Sequence, residues 1–287
     1  MRILVTGLCG FTGHYLKKEF EAHGHMVMGL ASDLTDAQGL SEEIERKQPE
    51  AVLHLAGIAF VGHGAPEDFY TVNVIGTRHL LAALASKAPK VKAVILASSA
   101  SIYGQAARQP IDEQTRPQPQ SDYAVSKFAM EAMARLWQDR LPLCIVRPFN
   151  YTGVGQSAQF LIPKIVAHFR RKDTVIALGN LKVSREFGDV RGVAEIYRRL
   201  VLSNSAGCTF NICTGVAYAL EEVLALCVEI TGQEMAVEVN PAFVRSQDAP
   251  LLVGDNSLLQ QAIGDWQSIN LKNTLTWMLG APEAPWS

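Results

Sequence analysis

The 287-residue chain has no excess charge of either sign: 26 Lys and Arg face 28 Asp and Glu, a net charge of −2. Such a surface creates no long-range field for nucleic acid or an acidic membrane, so neither is expected as a partner. The sequence lacks any apolar run near the ~20 residues of a membrane span. The opening Met1-Arg2-Ile3-Leu4-Val5 reads directly as a strand, so no signal or transit peptide is expected and the location is expected to be cytoplasmic. Cys9, Cys144, Cys208, Cys213 and Cys227 form an odd set without a C-x-x-C pair, which points to reduced thiols and to no metal site. Internal repeats and low-complexity tracts are missing too. What is left, 48% hydrophobic and 19% charged, is the composition of a soluble α/β domain, alone or with a satellite.

Glycine is placed where it carries meaning. Arg2 to Thr6 reads as a buried strand, Gly7-Leu8-Cys9-Gly10-Phe11-Thr12-Gly13 follows, and His14 to His23 reads as a helix. In a strand–loop–helix unit the first glycine allows a tight turn, the second lets backbone approach a pyrophosphate, and the third lets the helix pack on the strand. The spacing is GxxGxxG rather than GxGxxG. A second strand spans His25 to Ala31. An acidic residue about twenty positions past the glycines would bind the adenosine ribose, and Asp33 comes a little late for that role. Alternatively Asp33-Leu34-Thr35-Asp36, before a helix from about Gln38 to Lys47, is the segment that touches adenine, and the piece between strands two and three is shortened. With no acid directly ending strand two and no Arg after it, neither NADP nor NAD is excluded, and NADPH is modestly preferred.

Further along, Ala51 to Gly57 is a buried strand ending in small residues, with His54 expected in the core. Asn73 to about Ser86 is an apolar helix, and Val91 to Ala97 a β-branched strand leading into Ser98-Ser99-Ala100-Ser101. Alternation of strand and helix argues for a parallel doubly wound sheet, whose sites lie at the strand C-termini. Tyr123 and Lys127 are one helical turn apart. A phenol has a pKa near ~10, and a fixed ammonium nearby favours the phenolate. Leu143 to Arg147 gives another strand, Phe160–Arg171 and about Val193–Leu202 two helices, Asn211 to Cys213 a last strand and Leu220–Thr231 a helix. From Val237 onward the chain reads mostly as loop.

Thr6-Gly7-Leu8-Cys9-Gly10-Phe11-Thr12-Gly13, His54-Leu55-Ala56-Gly57, Asn73, Ser98-Ser99, Tyr103-Gly104, Tyr123 with Lys127, and Arg147-Pro148-Phe149-Asn150 together resemble the extended short-chain dehydrogenase/reductases, a family that modifies nucleotide sugars. The resemblance implies a Rossmann dinucleotide-binding domain over 1–150, with segments near 186–215 returning to it, and a smaller C-terminal substrate-binding domain in 151–287. It implies a homodimer through helices at about 66–86 and 122–138. By the same resemblance Ser99 would hydrogen-bond the sugar 4-oxygen, Tyr123 would be the acid/base, and Lys127 would hold the nicotinamide ribose and lower the tyrosine pKa. Gly7, Gly10, Phe11, Thr12, Gly13, Asp33, Leu34, Leu55, Ala56, Gly57 and Asn73 would contact NADP or NAD. For Ser98 a plain strand-end role is preferred.

Dehydratases of this family place an acidic residue one or two positions after the Ser/Thr, where this chain has Ala100 and Ser101. Neither can protonate a leaving hydroxyl at neutral pH. The segment Asn150 to Gln156, with Lys164, Arg185 and Arg245, is similar to the branch handling GDP-6-deoxyhexoses. In that branch Asn150, Lys164, Arg185 and Arg245 would hold the diphosphate and nucleoside. The implied activity is 4-reduction of a nucleotide-linked 4-keto-6-deoxyhexose, GDP favoured. Rivals are a 4-epimerase, a deoxytalose-forming 4-reductase and a non-catalytic dinucleotide sensor.

Overall fold

The computed structural model describes residues 1–58, 65–181, 183–241 and 250–282. The first half runs β1 (Arg2–Thr6), α1 (Phe11–Ala22), β2 (Met26–Gly29), α2 (Ala37–Lys47), β3 (Ala51–His54), α3 (Pro66–Tyr70), α4 (Thr77–Lys87), β4 (Ala93–Ala97), α5 (Asp122–Arg135) and β5 (Leu143–Pro148). After it come β6 (Tyr151–Thr152), α6 (Leu161–Arg171), β7 (Val175–Leu178), β8 (Ser184–Glu186), β9 (Gly188–Asp189), α7 (Val190–Leu202) and β10 (Thr209–Ile212). The rest is β11 (Ala217–Ala219), α8 (Leu220–Thr231), β12 (Ala236–Val239), β13 (Leu251–Leu252), α9 (Ser257–Ile263) and α10 (Leu271–Gly280).

Six strands form one sheet in the order β10-β5-β4-β3-β1-β2, every pair parallel. The doubly wound Rossmann fold expected from the sequence is therefore present. Alternate residues of β1 serve opposite faces: Ile3 and Val5 pack with Leu16, Phe20 and Ile196 of α1 and α7, while Leu4 packs with Leu40, Leu80 and Met130 of α2, α4 and α5. Both faces are covered, which is why the strands read as continuous apolar runs. The chain leaves β1 for the edge strand β2 and returns to β3 on the other side. The crevice above β1 and β3 is thus the switch point where such sheets bind ligands. β10, near the end of the expected returning segment, does close the sheet beside β5.

Ile162, Ile165, Phe169, Leu224, Cys227, Leu275 and Met278 form a separate core under α6, α8 and α10. The loop expected from Val237 onward is corrected by this: β12, β13, α9 and α10 lie within it. The helix expected from Asn73 to Ser86 is also not regular, because Thr71–Gly76 winds as a π-helix between α3 and α4. Single π turns mark places where a helix is bent to serve a site. Ile75 beside α4 and Val125 on α5 are exposed hydrophobic residues. All five cysteines are free thiols. Among the described residues no helix is long and apolar enough to cross a membrane.

Candidate active site

The glycine loop turns between Thr6 and α1. Gly7 has φ +74°, a left-handed conformation that other residues rarely adopt, and its carbonyl accepts from Gly10 N at 3.0 Å. A Cβ on Gly13 would run into the carbonyls of Gly7 and Leu8. Helix α1 starts without a side-chain cap and without an acid in its first turn. Its first N–H groups and its dipole are therefore available to an anion. Phe11 and Thr12 direct their side chains elsewhere: Phe11 stacks on Tyr151 (centroids 6.2 Å apart, 14° between planes), and Thr12 Oγ1 bonds Tyr151 Oη at 2.8 Å. They tie the glycine loop to the segment after β5.

At the far end of the crevice, Asp33 is exposed and accepts from both Thr35 N (2.7 Å) and Thr35 Oγ1 (2.6 Å), bonds that hold its carboxyl below its usual range. Leu34 is buried in the core beneath α2 and α4, so only its backbone can meet a ligand. Glu43 is a residue that the reading of the sequence does not single out. This carboxylate of α2 is buried and accepts from Ala31 N (3.0 Å), Ser32 N (2.7 Å) and Ser32 Oγ (2.7 Å), with Lys47 Nζ at 2.7 Å. Burial pushes Glu43 up, but the bonds from Lys47, Ser32 and Ala31 outweigh it and hold the carboxyl at about 2. An anchored anion thus sets the path of the chain after β2. Its only sequence signal is a charge between Leu40 and Ile44, on the apolar side of the helix.

Lys127, Gly57 and Asn73 converge where β3 and β4 end. Lys127, on α5, is buried and donates to the carbonyl of Ala97 at 2.8 Å. A Cβ on Gly57 would lie 3.3 Å from Lys127 Nζ and 2.7 Å from Asn73 Oδ1. The bare corner of Leu55, Ala56 and Gly57 under an ammonium fits a ribose, and the glycine loop fits a pyrophosphate, so the residues suit NAD(P). Asn73 sits in the π turn. Its Oδ1 accepts from Ile58 N (2.9 Å), and its Nδ2 donates to Ile58 O (3.1 Å) and Ser126 Oγ (3.0 Å). Both amide hydrogens are bonded inside the protein, so Asn73 braces α5 against the loop after β3.

Ser99 lies two residues past β4, at the start of the short helical turn Ala100–Tyr103, and stands beside Tyr123. Burial raises the Tyr123 phenol above its ordinary value, Ser99 opposes that, and Tyr151 adds to it. The expected lowering by Lys127 is not the governing effect, because the ammonium is directed at Ala97 and is itself brought down to about 8 by burial, against the pull of Glu131. At neutral pH Tyr123 holds its proton.

His54 is a core residue, as expected. Thr77 Oγ1 donates to Asn73 O (2.7 Å) and so accepts from His54 Nε2 (2.8 Å), while Thr6 Oγ1 accepts from Ala56 N (3.0 Å) and donates to His54 Nδ1 (2.8 Å). Burial, assisted by the Lys127 charge, lowers the imidazole to about 3. The neutral ring is what the fold requires. Between the unfolded value near ~6.5 and about 3 the unfolded chain binds the extra proton, so stability is full above that window and falls as pH drops through it. Thermal melts from pH 7 to pH 4.5 should show this as a loss on the order of a few kcal/mol that shrinks in His54→Gln; an unchanged slope in the variant would rule His54 out as its source.

The expected substrate residues are less tightly grouped. Asn150 is exposed, its carbonyl accepting from Gly188 N at 2.9 Å, and it lines a small pocket with Tyr151, Thr214 and Trp266. Lys164 Nζ donates to Ala177 O (2.7 Å) and Arg185 Nη1 to Ser184 O (2.9 Å), both within the C-terminal elements. Arg245 lies outside the described residues. Tyr151 and the buried Glu186 belong to segments that carry the resemblance, Asn150 to Gln156 and Arg185-Glu186-Phe187, but neither is assigned a role there. Glu186 accepts from Thr214 Oγ1 (2.9 Å) and from the amides of Thr214, Gly215 and Gly254, and so gathers β8, the turn after β10 and the end of β13.

A glycine turn at the switch point of a parallel sheet, faced by a serine, a tyrosine and a lysine at the next strand ends, defines an NAD(P)-dependent oxidoreductase of the short-chain dehydrogenase/reductase class. Within that class the chain belongs to the NAD dependent epimerase/dehydratase family, which it matches over residues 3–213. It is 36% identical to GDP-6-deoxy-D-talose 4-dehydrogenase of Aggregatibacter actinomycetemcomitans, over 92% of each chain. It is 31% identical to GDP-6-deoxy-D-mannose reductase of Pseudomonas aeruginosa, over 97% of this chain and 96% of the other. The solved structure of RMD from Pseudomonas aeruginosa complexed with NADPH superposes with a TM-score of 0.88 at 30% identity, over 97% of both chains.

Proposed function

We propose that the protein is an NAD(P)H-dependent 4-reductase of a nucleotide-linked 4-keto-6-deoxyhexose, GDP-4-keto-6-deoxy-D-mannose being the favoured substrate. The observation that carries this reading is the placement of Ser99 beside a Tyr123 phenol that burial keeps protonated at neutral pH, next to a corner that suits a nicotinamide ribose. A bound reduced nicotinamide supplies the hydride. Tyr123 gives its proton to the C4 oxygen, Ser99 donates a hydrogen bond to that oxygen, and Lys127 holds the ribose. Asn150, Lys164 and Arg185 would hold the diphosphate and nucleoside. Ala100 and Ser101 stand where a dehydratase needs an acid, which argues for taking up the 4-keto sugar as such.

Two products are chemically open, differing in the sugar face that meets the hydride. GDP-D-rhamnose is the first reading, in line with the likeness to GDP-6-deoxy-D-mannose reductase. The deoxytalose epimer is the second, favoured by the 36% identity to GDP-6-deoxy-D-talose 4-dehydrogenase. The test is turnover of a panel of 4-keto-6-deoxy nucleotide sugars with NADPH and NADH, followed at the nicotinamide band, with products identified by NMR. One reduced cofactor should be consumed per sugar, with a modest preference for NADPH. A C4 inversion without net oxidation would make the protein an epimerase. A 4-keto-6-deoxy product formed from GDP-mannose and oxidised cofactor would also overturn the reading.

A further inference from the structure

Ser99 has more partners than its role as a donor to substrate requires. Its Oγ accepts from the amide of Ser101 at 3.2 Å, lies 2.9 Å from Ser101 Oγ, and has the Tyr123 phenol as a third neighbour. A serine oxygen offers two lone pairs and one hydrogen. The amide fills one lone pair without ambiguity, because an N–H can only donate. One lone pair and one hydrogen then remain for two hydroxyl neighbours, so the direction of the hydrogen bonds along Ser101, Ser99 and Tyr123 is a single choice made once for the whole row.

We propose that Ser101 is a positioning residue: its hydroxyl donates to Ser99 Oγ, so that both lone pairs of Ser99 are filled and the Ser99 hydrogen is turned toward the acceptor oxygen it shares with Tyr123. This deepens the reductase reading and rests on it for the identity of that acceptor, the C4 carbonyl oxygen. In the reaction C4 gains the hydride, the oxygen gains the Tyr123 proton, and Ser99 and Ser101 keep theirs. Hydrogen bonds in a row polarise one another, so filling Ser99 from behind strengthens what it donates forward. An ionised carboxylate at position 101 would do the opposite. It has only lone pairs, would draw the Ser99 hydrogen backward, and would leave the carbonyl with one donor instead of two. Position 101 thus separates a site that polarises a ketone from one that presents an acid two residues after Ser99.

The variants are Ser101→Ala, Ser101→Thr and Ser101→Asp. With the 4-keto sugar and saturating NADPH, Ser101→Ala should lose about tenfold in kcat with KM within about threefold, the size of one hydrogen bond made in the transition state. Ser101→Thr, which keeps the hydroxyl, should return to near the native kcat. Ser101→Asp should lose a hundredfold or more at pH 7.5. A second arm needs no sugar: tyrosine labelled with ¹³C at the ring carbon bearing oxygen, the Tyr123 signal assigned with Tyr123→Phe. Its titration should move up by about half a pH unit in Ser101→Ala, a threefold change in proton affinity, and move back in Ser101→Thr. Tyr151 and Tyr197, the phenols that interact with Tyr123, are common to both variants. A native kcat in Ser101→Ala, or a Tyr123 titration that does not move, overturns the proposal. If the titration behaves as stated while the native protein reduces none of the 4-keto sugars, the positioning role stands and the substrate reading falls.

Discussion

Tyr123→Phe is expected to keep the fold and to bind NADPH as the native protein does, while turnover falls by about 10²–10⁴-fold. The ring fills the same space, so packing is unchanged; only the hydroxyl beside Ser99 is lost. That hydroxyl is the group held in its protonated form at neutral pH, and burial is the main reason. Lys127 cannot substitute for it as the acid, because its ammonium is committed to the Ala97 carbonyl on the ribose side of the corner. Fluorescence titration with NADPH and steady-state turnover on one preparation separate the two effects. Turnover within threefold of native would take Tyr123 out of the mechanism.

The second large effect is on stability. Arg147 on β5 and Glu131 on α5 form a fully buried pair with two parallel bonds, Nε to Oε1 at 2.9 Å and Nη2 to Oε2 at 2.7 Å. Burial disfavours charge on Arg147, and the bonds from Glu131 more than restore it. The guanidinium also donates to Tyr103 Oη (2.9 Å), which in turn donates to Asn211 Oδ1 (2.7 Å) on β10. Arg147→Met would leave the Glu131 carboxylate in the interior with only the distant Arg135 contact, 3.4 Å. The expected cost is about 3–5 kcal/mol, out of roughly 5–15 for a typical domain. Urea unfolding measures it. The double variant Arg147→Met with Glu131→Leu should recover most of that loss, since an apolar pair of similar size leaves no buried charge. A single-variant loss below about 1 kcal/mol would mean that water reaches Glu131.

Glu131 lies one turn beyond Lys127 on the same helix and is the charge that opposes the lowering of its pKa. The buried pair therefore serves the site as well as the fold. The double variant tests that link separately: it should be nearly as stable as the native protein yet hold a Lys127 that loses its proton more readily.

Much was legible in local order. The glycine loop could be read because a left-handed turn at Gly7 and a close helix–strand approach at Gly13 exclude other residues, and those constraints act over a few positions. The six parallel strands could be read because burial on both faces writes an unbroken apolar run. Helical periodicity puts Tyr123 and Lys127 on one face, and the glycine loop and Ser98-Ser99 before them give that pair its meaning. By contrast α10 went unread, although Asn270 caps it and Leu271, Leu275 and Met278 fall on one side. The segment before it is broken by Pro241 and Pro250, and the apolar partners of α10 come from α6 and α8, about fifty to a hundred residues earlier.

Local order in the sequence was enough to read the fold class, and with the family resemblance it nominated Ser99, Tyr123 and Lys127 for the chemistry. Tertiary structure alone decided how those residues are held. It spends both amide hydrogens of Asn73 on Ile58 and Ser126, aims Lys127 at Ala97, and seals Glu43 under the loop after β2. It also raises the phenol that spacing alone would have lowered, because burial depends on what packs over a side chain from distant parts of the chain, and one turn of helix cannot report that.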